Sequence, residues 1–330
     1  MVRNAFRHAC SFIMAAFATG CLLSTLPPTI VYARASANGA DAVSKRLEDL
    51  TQKYQYENPY PELREQANLS YDGVSQEDTR EIVCWGDSMT EGYGATEGSV
   101  ETSDGTYDIS YKAYPQVLQE LTGLKTYNFG VPGATSEEIA LMQGAYTLDR
   151  LRNPLRVFDA HIASQGEAHP GDILILEMGS NGGWSNKYKR LIKQYRFMIE
   201  HSGCRDFLIV GDTDDPGTSI GDLNQQEFSY GDGPGETDWE AALREAFGDR
   251  FINMRVYLIE SGLSNCNMQE TDADRRMAAS GCISTRLRSD WTHFNAYGYY
   301  AKAVGIYERG VDLGFWGPDH KESLESALLP

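Results

Sequence analysis

Short apolar runs recur along the chain from residue 80 onward, and segments with helical periodicity separate them. The runs that predict strands are 81–86, 124–130, 172–179, 206–212 and 250–255. Helices are predicted near 111–122, 135–145, 184–201 and 238–247, and a last one starts near Asn295 and runs through "AYGYYAKAVGIYERG". Runs such as "DILILEM" are apolar throughout, which is typical of strands buried on both faces. This alternation predicts an α/β fold with a central, mostly parallel five-stranded sheet and helices on both faces.

Two stretches, 213–238 and 260–289, exceed the usual length of a connection between elements. Both are rich in Gly, Asp and Asn, and we expect them to form long loops that overhang the strand ends. The segment "GDTDDPGTSIGD" in the first of them lacks the ligand spacing of a calcium-binding loop. It therefore favours a solvated acidic loop over a calcium site.

The first 35 residues differ from the rest of the chain. Arg3 and Arg7 precede the uncharged run "ACSFIMAAFATGCLLSTL", and Ala33-Arg34-Ala35 has the small-x-small form of a cleavage site. This pattern predicts a secretory signal peptide over 1–35, with an uncleaved membrane anchor as the alternative. We expect a helix and linker over 36–75, one domain over 76–312, a tail over 313–330, and a secreted or cell-surface protein.

Composition limits the partners and the cofactors. The 330 residues are 41% hydrophobic and 23% charged, which is ordinary for a globular protein, and the net charge is −18. An acidic surface argues against nucleic acid and anionic membranes as partners. Neither the cysteines nor the histidines have the spacing of metal ligands, so no metal or cofactor is predicted.

Cys10 and Cys21 lie in the signal segment, whereas Cys266 and Cys282 lie in a polar stretch and predict a disulfide in an oxidising compartment.

Candidate catalytic residues follow the carboxyl ends of the predicted strands and precede the last predicted helix. Ser88 lies in "GDSMTEGYG", Gly133 in "NFGVPGATS" and Asn181 in "EMGSNGGW". Asp290 and His293 lie in "SDWTHFNAYGYY", which leads into the last helix. Because ligands of open α/β sheets bind at the carboxyl ends of the strands, we expect these residues to converge.

Together these residue types are what acyl transfer needs. A serine hydroxyl is a weak nucleophile, and His293 can take the proton from Ser88. Asp290, three residues before His293, can fix the tautomer of its imidazole. The backbone N–H of Ser88, an N–H in the turn at Gly133 and the side-chain amide of Asn181 can stabilise an oxyanion.

The four blocks, in this order over residues 81–300, resemble those of the SGNH, or GDSL, esterase/lipase family. The resemblance implies a three-layer α/β/α flavodoxin-like fold with Ser88 as the nucleophile and Asp290 and His293 as the acid and the base. It implies an oxyanion hole of Ser88, Gly133 and Asn181. The chain departs from the family pattern in two places: Met89 replaces Leu, and Gly182 stands where many members have Asp.

Several functions remain open on this fold. We favour an esterase that removes short acyl groups, such as acetyl, from a carbohydrate or cell-wall glycan. The alternatives are a lipolytic esterase or lysophospholipase and an O-acyltransferase. A non-enzymatic binding protein is disfavoured because every catalytic residue type is present. Trp184 is a candidate wall of the substrate pocket, and Trp291 is either a platform for substrate or an anchor of the Asp290–His293 turn.

Overall fold

The computed structural model describes residues 78–102, 105–214 and 235–317. The predicted signal peptide, the 36–75 extension and most of the 213–238 stretch lie outside these ranges. Seven strands are described: Glu81–Gly86 (β1), Ser99–Thr102 (β2), Gly105–Asp108 (β3), Lys125–Gly130 (β4), Ile173–Leu176 (β5), Asp206–Val210 (β6) and Phe251–Ile252 (β7).

Nine α-helices lie within the described residues. They are Ser88–Glu91 (α1), Tyr114–Thr122 (α2), Ser136–Gln143 (α3), Ala160–Ala168 (α4), Tyr188–Ser202 (α5), Asp238–Phe247 (α6), Met254–Asn265 (α7), Asp272–Ala279 (α8) and Ala296–Asp312 (α9). Of these, α1, α4, α7 and α8 have no counterpart among the helices predicted from the sequence.

The main sheet is parallel, with the strand order β4-β1-β5-β6-β7. Counted in chain order, these five strands follow the 2-1-3-4-5 arrangement of flavodoxin-like folds, whose ligands bind beside the first strand where the order reverses. The remaining strands, β2 and β3, form a separate antiparallel hairpin. The carboxyl ends of β1 and β5 are therefore neighbours at the edge where a ligand is expected.

Alternating side chains of β1 divide the core into two layers. Ile82 and Cys84 pack with residues of α2, α7 and α9, whereas Val83 and Trp85 pack with residues of α3, α4, α5 and α6. All four side chains are almost fully buried. A strand that is apolar on both faces needs helices on both sides. The predicted α/β/α fold class is thereby confirmed.

The prediction of a long loop over 260–289 is wrong. This stretch contains the end of α7, the whole of α8 and a 3₁₀ turn, Thr285–Leu287. The Thr271 side chain caps α8 by accepting from the N–H of Asp274, and the Asp274 carboxylate accepts from the N–H of Thr271. Such a reciprocal cap stabilises a helix start even in a polar segment.

The packed body also extends beyond the predicted domain boundary at residue 312. Phe315 and Trp316 are buried, and the Trp316 indole N–H donates to the carbonyl of Tyr307 over 2.8 Å. No helix among the described residues is long and apolar enough to cross a membrane.

No disulfide joins Cys266 and Cys282, so that prediction is wrong for this structure. The Cys266 thiol, at the end of α7, lies 3.3 Å from the carbonyl oxygen of Tyr297 in the last helix. The Cys282 thiol lies 3.6 Å from the carbonyl oxygen of Ser280 in its own turn. The two sulfur atoms therefore face different neighbours.

Candidate active site

The nucleophile candidate lies where β1 ends and the chain turns into α1. Ser88 is the first residue of this short helix, and Asp87 before it is the N-cap residue. The Asp87 carboxylate accepts a hydrogen bond of 3.0 Å from the N–H of Met89. This cap fixes the turn, and it leaves the Ser88 side chain half-buried at the carboxyl edge of the sheet.

Ser88, His293 and Asp290 form one continuous hydrogen-bonded chain. The Nε2 atom of His293 lies 3.0 Å from the Ser88 Oγ, and its Nδ1 atom lies 2.8 Å from the Asp290 Oδ2. These distances are within hydrogen-bond range for both contacts. The three residues that the sequence singled out as nucleophile, base and orienting acid are therefore brought together.

The Asp290 carboxylate is held by its own turn. Its Oδ1 atom accepts from the backbone N–H groups of Thr292 and His293, over 2.8 and 2.7 Å. Partial burial raises the pKa of Asp290, but the hydrogen bonds from His293 and Thr292 outweigh this effect and keep the pKa below its ordinary value. Asp290 is thus an anionic partner for the imidazole at neutral pH.

Arg288 clamps the turn that carries the acid and the base. Its guanidinium donates to the carbonyl of Thr292 over 2.9 Å and to the carbonyl of Thr213, just after β6, over 2.7 Å. It also lies 5.3 Å from the centre of the Phe294 ring. The ring of Tyr93 packs on the His293 imidazole with centres 4.5 Å apart.

The candidate oxyanion donors lie on adjoining turns. Gly133 has φ +73°, and a Cβ added there would meet no atom within 4 Å, so its backbone is open to a ligand. The Asn181 side-chain amide lies 3.1 Å from the Asp87 carboxylate and 3.3 Å from the Ala134 carbonyl. Asn181 therefore lies beside both the nucleophile turn and the Gly133 turn.

Trp184 is not a wall of the pocket. Its side chain is fully buried, and its indole N–H donates to the carbonyl of Gly179 over 2.8 Å. It packs between the rings of Tyr188 and Trp239. Trp184 is a core residue, because the tight turn after Asn181 directs this side chain into the layer of α5 and α6.

A buried ion pair beneath α1 was not foreseen from the sequence. The Lys302 ammonium, on α9, lies 2.6 Å from one oxygen of Glu177, at the end of β5, and contacts the other. Glu177 also accepts from the Thr90 hydroxyl, on α1. Burial, and then the nearby Glu177, raise the pKa of Asp87 to about 7, while the Met89 N–H and Lys302 lower it. In the sequence, this ion pair is indicated by one charged residue in each of two otherwise apolar segments, "ILEMG" and "YYAKAVG".

Two further carboxylates follow β6 at the same edge. Asp212 accepts a hydrogen bond from the hydroxyl of Ser180, next to Asn181. Burial raises the pKa of both Asp212 and Asp214, so the start of the Asp-rich segment is half-buried rather than a fully solvated loop. In the described part of the chain, no group of three or more His, Cys, Asp or Glu side chains is arranged to hold a metal ion.

Comparison with known proteins identifies one matching family model. The model of the GDSL-like lipase/acylhydrolase family matches residues 84–301. A search of curated proteins finds no match.

Two solved structures that this chain resembles have low sequence identity to it. A G-D-S-L family protein from Desulfitobacterium hafniense DCB-2 is 13% identical, with a TM-score of 0.43 over 70% of this chain and 99% of that chain. A family 3 carbohydrate esterase from Clostridium thermocellum is 15% identical, with a TM-score of 0.41 over 73% of this chain and 100% of that chain.

Proposed function

Because the chain belongs to the GDSL-like lipase/acylhydrolase family and is therefore a hydrolase of ester bonds, we propose that it removes short acyl groups, acetyl foremost, from a carbohydrate or cell-wall glycan. The observation that carries the proposal is the unbroken Ser88–His293–Asp290 hydrogen-bonded chain at the carboxyl edge of the sheet. No cofactor enters the proposed reaction.

In the first half of the proposed reaction, the Ser88 Oγ attacks the ester carbonyl carbon while His293 takes its proton. The imidazolium is stabilised by Asp290. The negative charge that develops on the carbonyl oxygen is stabilised by the N–H groups of Ser88 and Gly133 and by the Asn181 amide. When the tetrahedral intermediate collapses, His293 gives its proton to the leaving alcohol oxygen, and the acyl group remains on Ser88.

In the second half, water takes the place of the alcohol. His293 removes a proton from that water as its oxygen attacks the acyl carbon, and the proton then returns to the Ser88 Oγ as the carboxylic acid leaves. An acyltransferase would use the same steps with a second alcohol instead of water. Partition of the acyl-enzyme between water and an added sugar acceptor, measured from the two products, separates these two activities.

The surroundings of the site support a polar substrate. Trp291, 69% exposed, is the large hydrophobic side chain that stands exposed among the described residues. A long acyl chain would need a continuous apolar wall, since each buried CH₂ contributes about 0.8 kcal/mol. The Ser180–Asp212 pair beside Asn181 instead offers hydrogen-bonding groups that suit sugar hydroxyls. The net charge of −18 disfavours anionic lipid surfaces.

The test is a series of p-nitrophenyl esters of increasing acyl length, followed by acetylated oligosaccharides. We expect kcat/KM to fall steeply beyond roughly four acyl carbons, because a short pocket would leave further methylenes without an apolar surface to contact. Ser88→Ala should abolish turnover and labelling by a fluorophosphonate probe while the protein remains folded. Efficiency that rises out to long chains would support the lipolytic alternative, and full activity in Ser88→Ala would overturn the mechanism.

We also propose that the enzyme acts outside the cytoplasm after cleavage behind Ala35. The support is the sequence of residues 1–35 described above. N-terminal sequencing of the protein from the culture medium should give Ser36 as the first residue. An intact N-terminus recovered with the membrane fraction would indicate the uncleaved anchor instead.

A further inference from the structure

The loop after α1 holds Tyr93 by its backbone against the turn that carries the base. The Tyr93 N–H donates to the carbonyl of Ser88 over 3.0 Å, and its own carbonyl accepts from the hydroxyl of Tyr299, on α9, over 2.6 Å. Gly94 follows with φ +82°, and a Cβ added there would lie 3.1 Å from the Cβ of His293. This loop therefore approaches the base more closely than a side chain at position 94 would permit.

The Tyr93 ring packs on the imidazole where no hydrogen bond is made. Both ring nitrogens of His293 are engaged in the imidazole plane, Nε2 with Ser88 and Nδ1 with Asp290. The remaining contacts of the imidazole must be made by its faces and carbon atoms. Tyr93 makes one of them, with ring centres 4.5 Å apart and planes inclined by 55°. The tyrosine is half-buried, so this contact lies at the edge of the site and not in the core.

The charge of the imidazole changes during the proposed reaction. As Ser88 attacks, the Oγ–H bond breaks and an N–H bond forms at Nε2 of His293, so the imidazole gains one positive charge. The Asp290 side chain stabilises that charge, but it is 40% exposed, and water weakens the attraction. An aromatic ring attracts a cation within about 6 Å of its centre. Tyr93 lies inside that distance, and its attraction for the imidazole strengthens only as the charge forms.

We propose that Tyr93 is a positioning residue whose ring holds the His293 imidazole between Ser88 and Asp290 and stabilises the imidazolium as it forms. The effect comes from the aromatic ring and not from the phenol hydroxyl. The proposal rests on the base role given to His293 in the proposed function. It does not depend on which ester is the substrate, because Tyr93 acts on the base.

The variants separate the ring from the hydroxyl and from simple packing. Tyr93→Phe keeps the aromatic ring and removes the hydroxyl, whereas Tyr93→Leu keeps an apolar side chain without a π-face. The matched control is Tyr127→Leu, because Tyr127 stacks on the His169 imidazole with centres 4.0 Å apart. His169 precedes β5, at the opposite end of that strand from the site. This control therefore removes a Tyr–His contact outside the active site.

The kinetic test uses p-nitrophenyl acetate. We expect Tyr93→Leu to lower kcat by roughly threefold to thirtyfold, the range for loss of one cation–π contact, with KM within about twofold of the wild type. Tyr93→Phe and Tyr127→Leu should both keep kcat within about twofold of the wild type. A wild-type kcat in Tyr93→Leu, or an equal loss in Tyr93→Phe, would show the proposal to be wrong. So would a rise in KM at constant kcat, since Tyr93 would then contact the substrate.

Two measurements keep folding and mechanism apart from this result. Stoichiometric labelling of Ser88 by a fluorophosphonate counts the competent sites, so that kcat refers to folded enzyme only. If Tyr93→Leu does not fold, Tyr93→Met supplies a second side chain without a ring, with the same expected loss. Full activity in Ser88→Ala would overturn the proposed function itself. An inactive Ser88→Ala together with an unimpaired Tyr93→Leu would leave the function standing and overturn only the role of Tyr93.

Discussion

The two halves of the candidate triad are held by different means. The nucleophile half lies over a buried network in which Asp87 is 2% exposed and Lys302 is fully buried. In the acid–base half, the Asp290 side chain is 40% exposed and that of His293 is 19% exposed. Buried tertiary contacts fix the first half. The second half is fixed by hydrogen bonds within one turn, to which the Arg288 bond to Thr213 and the Tyr93 ring on His293 add support. The carboxylates reflect this difference, since the pKa of Asp87 is raised to about 7 and that of Asp290 is lowered.

This comparison teaches where each half is vulnerable. A change in the exposed turn should affect chemistry and leave folding intact. A change in the buried network should affect folding first. The variants below test this separation, from the largest expected effect to the smallest.

Asp290→Asn should break the acid–base half alone. We expect kcat on p-nitrophenyl acetate to fall by about 10⁴, because an amide no longer fixes the required tautomer of His293. The melting temperature should stay close to that of the wild type, since the side chain is 40% exposed. A kcat within about tenfold of the wild type would mean that another group orients the imidazole.

Lys302→Met should destabilise the nucleophile half of the site, because it removes the buried cation that pairs with Glu177. It leaves the Glu177 carboxylate buried without its cation, and we expect a loss of about 3–5 kcal/mol in the free energy of unfolding, measured in urea. The double variant Lys302→Met/Glu177→Gln should recover much of this loss. Arg244→Met breaks an exposed pair with Glu236 and should change stability little. A single Lys302→Met variant as stable as the wild type would contradict the proposed importance of the pair.

Trp291→Ala should sharpen the description of the exposed half. We expect wild-type stability and kcat, because surface substitutions usually change stability by less than about 0.5 kcal/mol. KM for an acetylated oligosaccharide should rise roughly threefold to tenfold as an aromatic contact is lost, while KM for p-nitrophenyl acetate stays constant. If the wild type and Trp291→Ala have the same KM on each substrate, Trp291 does not contact the sugar and serves only as part of the Asp290–His293 turn.

The parts of the fold that were predictable have continuous apolar runs. Strand β1 has the predicted limits, and α9 is displaced from its predicted start by one residue. Helix α4 was missed because its buried residues are the small Ala160, Ala163 and Gly166, which give no hydrophobic periodicity. Gly166 lies directly against the Trp85 ring, where an added Cβ would approach a ring carbon to 2.2 Å. This close approach of Gly166 to Trp85 places α4 in the core, and no pattern in the sequence indicates the contact.

The site was predictable where a local motif carries the chemistry. The Asp290–His293 spacing is contained in one turn, and the structure places both beside Ser88. Trp184 was misjudged because closeness to Asn181 in the sequence does not reveal on which side of the turn a side chain lies. The Lys302–Glu177 pair was missed because its members are 125 positions apart and only the folded chain brings them together.

The separation of Ser88 from His293 by 205 positions has a consequence for how activity arises during synthesis. The nucleophile strand leaves the ribosome early, but its base precedes the last helix, which must pack on α2 and α7. Contacts so distant in sequence form late, because loop closure precedes them. A nascent chain that has not yet exposed residue 293 therefore has a serine but no catalyst. Esterase activity regained during refolding should report completion of the whole domain.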